Sequence, residues 1–217
     1  MARRKISIGL APLAALMTSG AEGDAATESI LDAAAALLAA HGLRRWSMDD
    51  VAALAGIGRT SVYRAFANRD ELVHAVLARE LRQTLTAAQA AGAGSRRLED
   101  QVVEGALSAL GALRGSLVER LLRSDPSTLL PFLTTGAGPL IGLSRQIMVE
   151  HARASGTAVD EQQAAEAAEV AARLALSFIL TRDTVFPVDD DGALRQSLRR
   201  LLRPLLAPLA GTRRRSA

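Results

Sequence analysis

From Thr27 onward, apolar residues recur three and four positions apart, the spacing of one helix face rather than the alternation of a strand. Ile30, Ala34, Leu37, Leu38 and His41 form a single stripe, and Gly42 behind them supplies a C-terminal stop. Ser47 and Asp50 stand at capping-box spacing. A short second helix is therefore predicted there, with Met48, Val51, Ala52 and Ala55 on its buried face. Gly56 permits a positive-φ turn, and a third short helix is expected from about 58 to 66. Asn68 with Glu71 repeats the N-cap and N3 pattern and opens a long helix to about residue 89.

Residues 91–95, all small, read as a joint. Beyond it the periodicity predicts helices over about 98–112, 116–123, 127–134, 138–154, 161–182 and 191–207. Asp125-Pro126, residues 136–139, Gly156 and Phe186-Pro187 punctuate them. No alternating run bounded by turn residues reads as a strand, so the expected fold class is all-α.

The chain has 217 residues, 49% hydrophobic and 23% charged, enough to bury a core and too apolar for a disordered chain. No uninterrupted apolar run reaches the roughly 18 residues of a spanning helix, so no membrane partner is expected. The absence of cysteine excludes a disulfide framework, a thiolate metal site and a cysteine nucleophile. The net charge is only +3, and Lys5 is the sole lysine. Arginine stays charged to very high pH, which lifts the sequence pI to about 10.4 without making the molecule strongly basic at neutral pH. Any case for nucleic-acid binding must therefore rest on where the arginines stand.

Residues 1–26 combine Arg3, Arg4 and Lys5 with an apolar stretch from Ile6 to Met17 and small residues after it. That is the outline of a secretory signal peptide. It is equally that of a disordered arm or a segment behind an upstream start codon. The arm is the expectation, with a cytoplasmic location, because the unit that follows reads as intracellular. The remaining divisions are a head over 27–77, a body over 78–210 and a basic tail over 211–217.

The second helix, the turn at Ala55-Gly56-Ile57 and the third helix form a helix-turn-helix, in which the second member lies in the DNA major groove. On a helical wheel, Val62, Ala65 and Phe66 cluster inward. Thr60 and Arg64 lie opposite, flanked by Ser61 and Tyr63. Hydroxyls suit phosphates or bases, and arginine can bond guanine O6 and N7 together. Arg44, Arg45, Arg59 and Arg69 surround this face, and the helix N-terminus at Ser47 is expected to join them in binding DNA by offering backbone N–H groups to phosphates. Between positions 41 and 70 five arginines face three aspartates. A set of solvated arginines on a helical bundle would look similar; the turn makes the difference.

The run from Ile30 to Gly42 and then from Ser47 to Leu72 resembles the TetR family of bacterial transcriptional regulators. The Ala-Gly-Ile turn, Val62-Tyr63 with Phe66, and Asn68-Arg-Asp-Glu-Leu72 arrive in that family's order. The resemblance spans about a quarter of the chain, from Thr27 to Leu77. It implies a homodimer, usually a repressor, binding a palindromic double-stranded operator through an N-terminal three-helix head. A larger helical ligand-binding and dimerisation body would follow. It also implies phosphate contacts from Tyr63 and Arg69, and approaches to bases or backbone from Thr60, Ser61 and Arg64. Gly58 stands where a serine or threonine cap is common. Trp46 replaces a usually small residue and is expected to pack at the edge of the head.

The body is read directly. Ala168, Ala172 and Ala175, with Phe178 and Ile179, make a small-to-apolar face on one late helix, and Leu198 and Leu202 one on the next. Together they are expected to form half of a dimeric four-helix bundle, unless both faces are buried within one subunit. A pocket is expected between the central helices, with Phe132, Ile147 and Met148 apolar and Thr134, Thr135, Ser144 and His151 polar. That mix suits a small, apolar, ligand-like effector with one polar end. No spacing for a metal site, phosphate loop or serine elbow appears, so neither cofactor, metal nor enzymatic activity is expected. The alternative class is a helical dimer whose body binds a protein partner, with DNA binding reduced or lost.

Overall fold

Asp24 starts the first helix, two residues ahead of the apolar pattern, because its carboxylate accepts the Thr27 backbone N–H at 2.8 Å. The computed structural model describes residues 24–43, 45–94, 98–154, 161–181 and 183–206. Among them lie ten helices and no strand. They are α1 (Ala25–His41), α2 (Met48–Ala55), α3 (Arg59–Ala65), α4 (Arg69–Ala93) and α5 (Leu98–Leu113). There follow α6 (Leu117–Ser124), α7 (Pro126–Leu133), α8 (Gly138–Ala154), α9 (Glu161–Leu180) and α10 (Asp191–Leu206). The fold is all-α, as the periodicity predicts. Residues 1–23 and 207–217, which include most of the expected arm and the basic tail, lie outside the described residues, while 24–26, the arm's expected end, form the cap and start of α1.

The chain divides into two compact units, with α4 contributing to both. The first holds the described residues up to Arg82 together with Gly115–Ala137, so α6 and α7 belong to the same unit as the three-helix head. Its core is built from Ile30 and Leu38 of α1, Val51 of α2, Val62 of α3, Leu72 and Leu77 of α4, and Leu121 and Leu129 of α6 and α7. Arg79 and Asp125 are charged members of this interior. For Arg79 the partners lie on α1. Its guanidinium meets Glu28 at 3.0 Å and Asp32 at 2.8 Å, tying α4 to α1. A buried guanidinium is tolerable only with such partners.

The second unit comprises Gln83–Arg114 with the described residues from Gly138 onward. Here α9 packs against α8 and α5, and α10 against α5. Val102, Val103 and Leu107 of α5 interlock with Leu194, Leu198 and Leu202 of α10. Arg195 grips Glu104 with two hydrogen bonds of 2.7 and 2.9 Å beside that seam. The ring of Phe178 meets Phe186 edge-on, with centroids 5.4 Å apart.

Glycine sets the approach of α4 to α5. A Cβ on Gly92 would lie 2.7 Å from the Gln101 carbonyl oxygen, and one on Gly105 3.1 Å from that of Ala88. Gly111, also in α5, faces open space. An ordinary helical glycine is less stable than alanine by about 0.5–1 kcal/mol. Gly111→Ala should therefore stabilise by about that amount. Gly92→Ala should instead destabilise, by roughly 1–3 kcal/mol, because backbone must move. Chemical denaturation of both variants checks this; stabilisation by Gly92→Ala would contradict the close crossing.

Candidate nucleic-acid interface and ligand cavity

The head's bracing helix begins at a complete capping box. The Ser47 hydroxyl accepts the Asp50 N–H at 3.2 Å, and the Asp50 carboxylate accepts the Ser47 N–H at 2.7 Å. The Ser47 hydroxyl also donates to Asp50 at 2.8 Å, so this serine is engaged in holding α2. These bonds hold the Asp50 carboxyl below its ordinary pKa. Gly56 then turns the chain in the left-handed region, at φ 67° and ψ 26°. Its N–H and that of Ile57 return to the end of α2. Gly58 opens α3 with no side-chain cap, the weak start expected from its lack of a hydroxyl.

Helix α3 is anchored by Val62, fully buried, and by Phe66 just beyond its end. Thr60 and Arg64 are exposed, Ser61 is half-buried, and Tyr63 is 42% exposed. This is the wheel read from the sequence except at Ala65, expected inward but exposed at the last position of the helix; the outward face carries hydroxyls, a phenol and a guanidinium. Arg64 also contributes positive charge at Asp24, whose carboxyl is held below its ordinary pKa chiefly by hydrogen bonds from Thr27. The start of α1 and the end of α3 are therefore electrostatic neighbours.

The arginines differ sharply in their surroundings. Arg45 is exposed, and Arg44 lies outside the described residues. Arg59 pairs with Asp49 of α2 at 2.8 Å, and its guanidinium lies 5.6 Å from the centroid of the Tyr63 ring. Nothing in the linear order pointed to Asp49 as its partner. Arg69 is turned inward. Its guanidinium stacks 4.2 Å from the Trp46 centroid and donates to the Leu43 carbonyl, while its Nε is buried without a partner. Burial lowers its pKa but leaves the group charged. Trp46 is itself buried, and its indole N–H donates to the Gly42 carbonyl at 2.9 Å. The stack thus closes the α1–α2 connection.

Within the second unit, α4, α5, α8, α9 and α10 surround a cavity of about 180 Å³. Ser144, Ile147 and Met148, three of the residues expected at a pocket, line it. Phe132, Thr134 and Thr135 do not: they belong to the first unit. Phe132 is buried there, and the threonine hydroxyls donate back to the Leu130 and Pro131 carbonyls. The His151 side chain lies outside the described residues. Ala168, Ala172, Ala175, Phe178, Leu198 and Leu202 also line the cavity, and Ile179 is half-buried. Of the residues expected to meet a second copy, Ala168, Leu198 and Leu202 are buried within the subunit, and Ala172, Ala175, Phe178 and Ile179 are half-buried. The small residues of α9 recur at helical spacing and follow the side that meets α5 and α8. The exposed apolar positions on these helices are Val170, Leu174 and Leu201, and Leu174 also lines the cavity.

Residues 30–76 match the bacterial regulatory proteins of the tetR family. Residues 99–204 match the C-terminal domain of the bacterial tetracyclin repressor. No curated protein matches the chain. Among solved structures, it is similar to the TetR family repressor AlkX of Dietzia sp. strain DQ12-45-1b, implicated in biodegradation of n-alkanes. That similarity has 25% identity and a TM-score of 0.67, over 83% of this chain and 97% of that one. It shares its fold with the R. erythropolis repressor QsdR, at 19% identity and TM-score 0.55, over 89% and 99% of the two chains. The fatty acid degradation regulator FadR of Bacillus halodurans shares it too, at 16% identity and TM-score 0.52, over 90% and 100%.

The Arg69 stack yields a prediction with a convenient reporter, since Trp46 is the only tryptophan. Arg69→Ala should lower stability by about 1–3 kcal/mol, through loss of the cation–π contact and the charged hydrogen bond to Leu43. It should also shift Trp46 emission to longer wavelength. Unchanged stability and emission with a large loss of DNA affinity would make Arg69 a phosphate contact instead.

Proposed function

The chain belongs to the TetR family of bacterial regulatory proteins, and on that premise we propose that it is a cytoplasmic transcriptional repressor that binds a palindromic operator as a homodimer and is released by a small apolar effector. The observation that carries the DNA-binding part is the outward face of α3. A helix held from behind by Val62 and Phe66 offers Thr60, Ser61, Tyr63 and Arg64 to a groove. Arg59 and Arg45 add charge at its edges, suited to phosphates.

The dimer reading is supported by Val170 and Leu174, one helical turn apart on α9 and 47% and 43% exposed, and by Leu201 on α10, 46% exposed. Exposed aliphatic side chains on these two long helices, both packed on α5, favour burial against a second copy. Inward residues such as Ala168 and Leu198 would support that interface from beneath. The effector reading is supported by the apolar cavity and by the likeness to AlkX, whose own description concerns n-alkanes. Among the described residues no helix is long and apolar enough to cross a membrane.

Selection of bound sequences from random duplex DNA by the purified full-length protein tests the function. Two half-sites related by dyad symmetry should be enriched, by a protein that sediments as a dimer without DNA. A folded protein that enriches no sequence would overturn the DNA-binding reading and favour a body that binds a protein partner. A monomer at micromolar concentration would overturn the dimer.

A further inference from the structure

The cavity's wall narrows the chemistry of what it can hold. Its polar contribution comes from Gln89, Gln101 and Ser144; the remaining lining residues are aliphatic, aromatic or glycine. Among the described lining residues none carries a charge. The Ser144 hydroxyl already donates to the Leu140 carbonyl at 3.0 Å, so what its oxygen has left to offer is a lone pair. A ligand group that donates a hydrogen bond suits that oxygen. The side-chain amides of Gln89 and Gln101 can donate as well as accept, so a hydroxyl, which does both, suits the wall better than a group that only accepts. Moving an ionised carboxylate from water into such a wall without a cation is strongly unfavourable, whereas a hydroxyl with one partner crosses at small cost.

The dimensions are equally restrictive. The cavity is somewhat larger than the roughly 150 Å³ apolar cavity that accommodates benzene. Gly92 and Gly105 hold the α4 and α5 backbones together at one wall, and alanines of α9 keep the opposite side open. Lengthening an alanine there would fill the space a ligand needs.

We propose that this cavity binds an uncharged, mainly aliphatic molecule of medium chain length bearing a single hydrogen-bond donor, and rejects the ionised carboxylate of the same length. The proposal rests on reading the cavity as the effector site, and it adds the charge state and size of what enters.

Calorimetric titration of the full-length protein, free of DNA, with linear primary alcohols from hexanol to decanol tests it. The comparison set is the carboxylates of the same lengths, at pH 8 where they are ionised. Affinity should rise about fourfold per methylene until the cavity is full. The best alcohol should bind at least about a hundredfold more tightly than its carboxylate. Ala172→Leu should abolish alcohol binding while leaving the thermal midpoint equal or higher, because it fills empty space. Ala109→Leu, on α5, should do the same and guards against misfolding of the first variant. Equal binding of alcohol and carboxylate would overturn the charge assignment, and so would binding of no alcohol by a folded protein. The operator reading fails separately. If octanol binds but leaves an enriched operator occupied, the ligand class stands and release by that ligand does not.

Discussion

A seven-residue helix makes too few internal hydrogen bonds to persist by itself in water, so α3 exists only while tertiary contacts hold it. Val62 and Phe66 are those contacts, both buried against the head's interior. Much of the rest of the first unit serves them. The capping box at Ser47 and Asp50 stiffens α2, the left-handed Gly56 sets the turn, and the Trp46–Arg69 stack closes the connection from α1. Arg79 with Glu28 and Asp32 joins α1 to α4 from the other side. Uncapped at Gly58 and short, α3 borrows its rigidity from these neighbours, which leaves its exposed face free to be chosen for recognition rather than stability.

The arginines show why residue type alone is a poor guide to function. Arg79 is a buried tie and Arg69 a stacked packing group, while Arg59 is shared between Asp49 and the Tyr63 ring. Arg64 stands outward, with only a distant electrostatic effect at Asp24. All four carry the same charge, and only burial and partner separate structural from recognising roles. Because Arg59 and Tyr63 are already in contact on the exposed side, that edge of the head is partly arranged before any DNA arrives.

The helices were legible because their signals are local. Ser47 with Asp50, Asn68 with Glu71, Gly42 and Gly56 each act within one turn of chain, and the apolar spacing carries the rest. The inward and outward faces of α3 were legible for the same reason: seven residues leave little freedom of phase. The body was not legible in detail, because placement there depends on which face of each helix meets which neighbour. Thr134 and Thr135 stand only ten and nine residues before Ser144 and yet belong to another unit. The alanine stripe of α9 could equally have faced a second copy or the subunit's own interior. Periodicity identifies such a stripe but not its partner. The pairing of Asp49 with Arg59 is not legible either, because it joins two helices across the turn.

We propose that α3 is fixed from behind so that Arg64 reads base edges while Tyr63 and its neighbours position the head. The most direct measurement compares Arg64→Ala with the unaltered protein for affinity to a panel of single-base variants of its bound duplex. The thermal midpoint should be unchanged, since Arg64 is exposed. Discrimination should fall by about 1–3 kcal/mol at one symmetric pair of positions, one in each half-site, and nowhere else. A uniform loss of affinity across the panel, with the preference profile intact, would make Arg64 a backbone contact and contradict the account.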